Sequence, residues 1–514
     1  MRRDPDAFAD GPYDLLVVGG GIYGACAAAD AARRGLRVAL IERDDFGGAT
    51  SHNSLKTIHG GIRYIQHLDI ARLMSSARER RHWMDLAPEL VVPRQFVIPL
   101  YGHAMKGPEA FGAAAMLYNA LTARIRRGRV PAARVLSVRR AAELMPGIDT
   151  SGMSGGGTWH DGQILDANRL LMAFLHDAAA NGAQVANYVA ARDLLGPATR
   201  VEGVLAEDRA TGRSFEIRAR LTLNCAGAGA AGLARRARHE LSAASFSGLA
   251  RAMNLVVDRD LTAGAAFGVV SRRKSDAVID RGGRMFFVAP WMSRTMIGTA
   301  HLPFEGDPET YRFDEGDLQE FLAEVNEAAP ALGLARADVA YCHAGLTPAA
   351  IDDDAKSGVG GSGEVRRHKR GTIIDHRAAD GVDGLVSVVS IKYTTARLVA
   401  ERVVDHAAAR LDRPAPAPAP RPLAEATLVD DPADADALAA RCREEIRDGM
   451  ALHLGDVVFR RTRLAETGRM TEPLLDAAAR AMAGALDWNE ARRDRELAET
   501  RATLARHRGP AAAA

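Results

Sequence analysis

The run Gly19-Gly20-Gly21-Ile22-Tyr23-Gly24 sets glycines at 19, 21 and 24, with Glu42 and Arg43 further on, a spacing suited to gripping a pyrophosphate. Gly19 permits a tight turn, Gly21 lets backbone approach an anion, and Gly24 lets a helix pack closely on a strand. A helix start offers unpaired N–H groups and partial positive charge to phosphate oxygens. Glu42 is suited to accept hydrogen bonds from ribose hydroxyls. The bland alternative is a glycine turn in an unrelated strand–helix unit, and the surrounding elements decide between the two.

Those elements read as strand, turn, helix, strand. Tyr13–Val18 is a continuous apolar run, as in a strand buried on both faces of a parallel sheet. Residues 25–34 are alanine-rich and helix-compatible, Gly35 stops them, and 37–42 form a second strand. A Ser/His/Asn/Gly-rich loop follows over 47–61, then helical patterns over 70–90 and 109–127. Short strands are expected through 185–223, around 253–257, 285–289 and 296–299, and again at 385–390, with a helix over 394–409. The fingerprint near the start of the chain and the long interval before that last strand–helix favour FAD over NAD. In FAD folds of this type the two ends of the chain close over one extended cofactor.

The expected fold is α/β: a Rossmann-type FAD-binding domain, an antiparallel-sheet substrate domain and a C-terminal helical domain. The FAD-binding parts fall at 1–100, 161–235 and 346–411, and the substrate parts at 101–160 and 236–345. A stiff Pro/Ala linker covers 412–422 and a helical region 423–514. A loop over 358–363 precedes the basic run Arg366-Arg367-His368-Lys369-Arg370.

Lys plus Arg total 67 against 65 for Asp plus Glu, a balance that argues against a nucleic-acid partner. Cys26, Cys225, Cys342 and Cys442 lie far apart without ligand spacing, so neither a metal site nor a disulfide framework is expected. No leader is visible at the start, and no apolar run reaches the ~18 residues of a spanning helix. A cytoplasmic setting is expected, with peripheral contact on the inner face of the cytoplasmic membrane left open. For that contact the candidate is 111–121, apolar and followed by Arg124, Arg126, Arg127 and Arg129; core packing is its other reading.

The stretch Ala49-Thr50-Ser51-His52-Asn53-Ser54-Leu55-Lys56-Thr57-Ile58-His59-Gly60-Gly61-Ile62-Arg63-Tyr64 resembles the FAD-dependent glycerol-3-phosphate dehydrogenases, a family of the D-amino-acid-oxidase-like flavoproteins. The resemblance extends to Val288-Ala289-Pro290-Trp291-Met292, Ile297-Gly298-Thr299, Lys392-Tyr393-Thr394-Thr395-Ala396-Arg397 and the tail segments 450–457 and 460–464. It implies hydride transfer from a secondary alcohol to flavin N5, with electrons passed to a quinone or another acceptor. Thr50, Ser51, Ser54, Lys56, Gly60 and Gly61 would then serve pyrophosphate and flavin, joined by Val189, Ala226, Gly227, Tyr393 and Thr394. Arg63 would hold an anionic or developing oxyanion group, next to Tyr64; a surface ion pair is its bland reading. Lys392 would stabilise charge at the flavin N1–C2=O edge, or merely begin a helix. His59 is either the general base or a structural histidine under the flavin.

The substrate half departs from that family. Thr347 stands where a phosphate-gripping arginine is usual, Asn254 replaces a histidine, and Ala300-His301 replaces Thr-Asp. Ser390-Ile391 replaces a Gly-Gly pair before the lysine. Lys369 or Arg370 could compensate for the lost arginine, or form a solvated basic loop. The expected substrate is glycerol 3-phosphate or a related polyol phosphate, phosphonate or hydroxy acid, and a homodimer stays open. Two other functions compete: an amine or amino-acid oxidase using O₂, and a catalytically retired FAD-binding protein.

Overall fold

The computed structural model describes residues 1–235, 246, 248–271, 285–351, 365–367, 372–413, 416–417 and 419–508. Tyr13–Val18 is wholly buried and pairs in parallel with Val38–Ile41 on one side and Arg213–Asn224 on the other. Leu385–Val389 and Gln184–Ala186 extend this parallel core outward, and Thr372–Asp375 closes one edge antiparallel. A meander of Val189–Leu195, Gly203–Asp208 and the first half of Arg213–Asn224 completes the sheet of eight.

The helix Ile22–Arg33 crosses between the first two strands. Ala25, Ala27, Ala28, Ala29, Ala31 and Ala32 are all buried in it, so their small side chains let it lie close between the sheet and helices Ala167–Ala180 and Ala396–Arg410. The carboxyl ends of Tyr13–Val18, Val38–Ile41, Arg213–Asn224 and Leu385–Val389 point to the same side, where open α/β sheets bind ligands.

A second sheet has ten strands and is antiparallel except where Ala266–Val270 meets Val91–Tyr101. Its centre is Val339–Ile351, Leu249–Val257, Arg294–Phe304 and Met285–Trp291, and its far half is Val91–Tyr101 with Met153–Ile164. Two expected boundaries are corrected here. Val91–Tyr101 belongs whole to this sheet although 91–100 was assigned to the FAD-binding part, and Val339–Ile351 runs across the expected break at 345/346. Pairing runs unbroken across 345/346, and 91–100 pairs with 155–164 before a register shift between Leu100 and Tyr101.

After the linker the chain is helical, with Ala435–Asp448, Glu472–Ala485 and Glu490–His507 as its main helices. Leu438, Leu454, Val458, Leu475 and Met482 share one apolar core with Val256, Trp291, Met296 and Tyr341 of the second sheet. The helical region therefore packs on the sheet as an integral layer. The basic run is outside the described residues except for Val365–Arg367, a short strand beside Val339–Ile351, so Lys369 and Arg370 lie outside them. Positions 414, 415 and 418 of the linker do too.

Candidate active site at the strand ends

A continuous cavity of about 2590 Å³ runs from the carboxyl ends of the parallel strands to the face of the second sheet. Ordinary small-molecule pockets span roughly 300–1,000 Å³, so this one has room for a dinucleotide and a second molecule.

Its inner end is the glycine turn. Gly19 has φ +113, and a Cβ there would lie 2.6 Å from the Cys225 carbonyl oxygen. A Cβ on Gly24 would lie 1.9 Å from the Gly19 carbonyl oxygen, so Gly24 supports the turn by close packing. Gly21 precedes the helix, no side chain caps it, and the Ile22 N–H is held by Ser51 Oγ at 2.9 Å. Glu42 receives the Gly20 N–H at 2.7 Å and the Asp44 N–H at 2.9 Å, which fixes its carboxylate at the cavity wall. Burial pushes that carboxyl above the usual range despite both bonds. Val189, whose N–H meets the Glu42 carbonyl at 2.8 Å, lines the same end with Ala226 and Gly227. The helix start, with Ser51 on its first N–H, and the absent Cβ atoms of the glycines make a cradle that fits a dinucleotide pyrophosphate.

Arg43 reaches away from this floor to Glu309 at 2.9 Å, an exposed pair bridging the cavity mouth to the segment before helix Glu315–Ala328. Thr50 Oγ1 donates to the Leu346 carbonyl at 2.5 Å, tying the polar loop to the second sheet. Ser54 Oγ accepts from the Lys56 N–H at 3.3 Å.

Farther along stand three cations and a phenol. Lys392 Nζ donates to the Tyr64 hydroxyl at 2.8 Å, and Arg72 stacks on the Tyr64 ring at 5.0 Å. Arg63 is exposed at the same cavity and makes no hydrogen bond or ion pair among the described residues. Burial draws the Lys392 ammonium below its ordinary value, Tyr64 opposes that shift, and Arg72 and Arg63 add to it. The Tyr23 hydroxyl contacts Ser390 Oγ and the Lys392 carbonyl, both at 2.7 Å, so it fixes the segment that carries this lysine.

His59 also lines the cavity. Its Nδ1 lies 3.0 Å from Asp161 Oδ2, and its backbone N–H donates to Thr394 Oγ1 at 3.0 Å. Tyr393 packs on Trp83 with ring centres 5.5 Å apart, and Trp83 Nε1 donates to the Thr394 carbonyl at 2.9 Å. Gly61 takes the left-handed φ of +85 that starts the short helix bearing Arg63 and Tyr64.

Lys56 lines the cavity with its ammonium buried on Glu466 at 2.8 Å and the His52 carbonyl at 3.3 Å, so its charge is taken up by the helical region. One expected contact is corrected. Gly60 does not line the cavity: its N–H is bound by Asp161, and a Cβ there would lie 2.2 Å from Arg80 Nη1. His52, His343 and Glu466 approach within 4.8 Å of one another like metal ligands, yet the Lys56 ammonium already occupies that carboxylate.

Of the departures, Thr347 is buried at the cavity wall and its hydroxyl reaches the Ala250 carbonyl at 3.4 Å. Asn254 is buried too, with Oδ1 accepting from Thr299 Oγ1 at 2.7 Å and Nδ2 donating to the Asn53 carbonyl at 3.3 Å. Asp161, Arg72 and Arg460 were not anticipated. Arg460 lines the cavity and pairs with Asp45 at 2.5 Å. Although burial opposes it, Arg461 and Arg460 hold the Asp45 carboxyl well below the usual range. The segment Arg460-Arg461-Thr462-Arg463 was a visible signal for that role, whereas Asp161 carried none.

A dinucleotide cradle on a parallel sheet, sharing one cavity with cations and an imidazole carried by the loops and short helices between the two sheets, defines a cofactor-dependent oxidoreductase. Residues 14–391 match the family described as DAO, FAD dependent oxidoreductase. A glycerol-3-phosphate dehydrogenase of Synechocystis is 32% identical over 423 residues, covering 81% of this chain and 73% of that protein. The human mitochondrial glycerol-3-phosphate dehydrogenase is 30% identical over 409 residues, covering 77% of this chain and 52% of its own. Among solved structures, the Bacillus halodurans glycerol-3-phosphate dehydrogenase complexed with FAD shares the fold at TM-score 0.73 and 23% identity, over 98% of this chain and 96% of that one. The chain belongs to the DAO family of FAD-dependent oxidoreductases, on the branch of the glycerol-3-phosphate dehydrogenases. FAD is its cofactor.

Proposed function

We propose that the protein oxidises the secondary alcohol of glycerol 3-phosphate or a close anionic relative, passing the electrons onward to a lipophilic acceptor such as a quinone. The observation that carries this reading is the Arg63, Tyr64 and Lys392 cluster sharing one cavity wall with His59. Bound in the cradle, FAD supplies the two-electron acceptor. Arg63 holds the substrate's anionic group, since its fork is unengaged among the described residues. His59 accepts the hydroxyl proton as the alcohol becomes a carbonyl. Lys392 and Tyr64 hold a donor pair against the charge that develops in the site.

Anaerobic flavin bleaching against glycerol 3-phosphate, other polyol phosphates, hydroxy acids and amino acids tests this. Bleaching by amino acids alone would overturn it. Because a threonine hydroxyl cannot neutralise a phosphate dianion, the KM for glycerol 3-phosphate is expected to be high. Thr347→Arg should lower it about tenfold, the worth of one charge-assisted hydrogen bond. A low-micromolar KM in the unaltered protein would refute this view of the pocket.

We infer further that the helix Pro108–Arg126 rests on a lipid surface. Met116 is 70% exposed on it, and Leu117 stands beside it. The short helices Ile62–His67 and Ala104–Lys106 pack on this helix and are flanked by Leu68, 74% exposed, and carry Met105, 76% exposed. Arg124 and Arg127 lie at its carboxyl end, suited to anionic headgroups. Ala110, Phe111 and Ala114 of the same helix line the cavity, which offers an apolar acceptor a short approach. No described helix is long and apolar enough to cross a membrane. Met116→Glu with Leu117→Glu should abolish sedimentation with anionic vesicles while leaving turnover of a water-soluble acceptor unchanged. Unchanged sedimentation would sink the lipid contact.

A further inference from the structure

Asp161 lies on Met153–Ile164 and is 2% exposed, yet four donors surround it. Oδ1 accepts the Gly60 N–H at 2.7 Å and lies 3.5 Å from Arg80 Nη1. Oδ2 faces His59 Nδ1 at 3.0 Å and Trp159 Nε1 at 3.1 Å. Arg80 is itself buried and bonds the Tyr118 hydroxyl at 3.0 Å and the His160 carbonyl, so a fixed positive charge stands behind the carboxylate. Burial alone would raise the Asp161 carboxyl, but the His59 bond, the His59 and Arg80 charges and the Gly60 N–H hold it below the usual range.

An ionised carboxylate only accepts hydrogen bonds, so His59 Nδ1 must carry a proton toward it. In the neutral ring that leaves the lone pair on Nε2, which has no partner among the described residues. The His59 side chain is 47% exposed and lines the cavity. Its backbone is pinned by Thr394, two residues from Lys392, so ring and main chain are both held.

We propose that Asp161, backed by Arg80, is a positioning residue that fixes the His59 tautomer and aims Nε2 at the substrate hydroxyl. The proposal rests on the reading of His59 as proton acceptor. In Asp161→Asn the Gly60 N–H still claims Oδ1, and the new amide N–H groups then meet His59 Nδ1 and Trp159 Nε1. The ring must accept at Nδ1, its proton moves to Nε2, and the base is masked.

The tautomer is read directly on ¹⁵N-histidine-labelled, FAD-loaded protein at alkaline pH, with the His59 resonances identified by their loss in His59→Asn. A neutral ring protonated at Nδ1 is expected in the unaltered protein, and one protonated at Nε2 overturns the proposal without recourse to any variant. In Asp161→Asn the proton should move to Nε2. The rate constant for anaerobic flavin reduction should fall about 10²–10³-fold with KM changed by less than about threefold. Asp161→Glu, which keeps an acceptor-only head, should retain the Nδ1–H ring and recover part of the rate. Asp161→Asn reducing its flavin at the unaltered rate would also overturn the proposal. If His59→Asn itself reduces flavin normally, the proton-acceptor assignment fails instead, while the tautomer measurement still reports on Asp161.

Discussion

Lys392→Met is expected to lower the rate constant for anaerobic flavin reduction by about 10²–10³-fold while the purified protein stays yellow. Methionine keeps most of the buried stem and removes only the ammonium, so packing against Tyr64 should survive. What is lost is a donor 2.8 Å from the Tyr64 hydroxyl, fixed by a segment that Tyr23 and Ser390 hold from below. A donor held before the reaction begins acts at full strength on charge that appears only during it. The pH profile gives a second readout. Burial draws this lysine below its ordinary value, so the ammonium is lost, and the rate declines, at a lower pH than a surface lysine would require. The variant should lack that alkaline limb. A rate within about threefold of the unaltered protein would refute the electrostatic role.

Glu466→Leu should destabilise the protein by about 3–5 kcal/mol and release FAD at lower temperature. Lys56 is fully buried, and Glu466 is the only carboxylate paired with it among the described residues. Leucine would strand an ammonium among Trp291, His52 and His343. Neither histidine can share that charge, because burial and then Lys56 hold both far below the ordinary imidazole value. Glu466 itself is raised to about 7, burial outweighing the opposing ammonium. A carboxyl with a raised folded value contributes stability that is complete below its unfolded value of 4.5 and is lost as pH climbs through about 7. The melting midpoint of the unaltered protein, measured against Glu466→Gln, should therefore fall across that window by the equivalent of about 3 kcal/mol. A flat difference between the two would show that the carboxyl is ionised throughout.

The cradle was legible because its parts are local. Gly19, Gly21 and Gly24 act through one turn, and Glu42 closes the next strand, so spacing alone carries the geometry. The cations at Arg63 and Lys392 were found through motif likeness, and the structure brings them to one cavity. Pairings across long stretches of chain left no such trace. Lys56 was assigned to the cofactor because it sits in a polar loop, and the partner of its ammonium is 410 residues away. Asp161 is 102 residues from His59 and reads in sequence as an ordinary strand aspartate. The broken assignment of Val91–Tyr101 has a related origin, since which sheet a strand joins depends on its distant neighbour Met153–Ile164.

The Lys56–Glu466 contact also orders the events of synthesis. The turn at 19–24 can form while most of the chain is still unmade, but the loop beside it keeps a bare ammonium until residue 466 leaves the ribosome. The lysine's counter-charge therefore reaches that loop only once the helical region has docked against it.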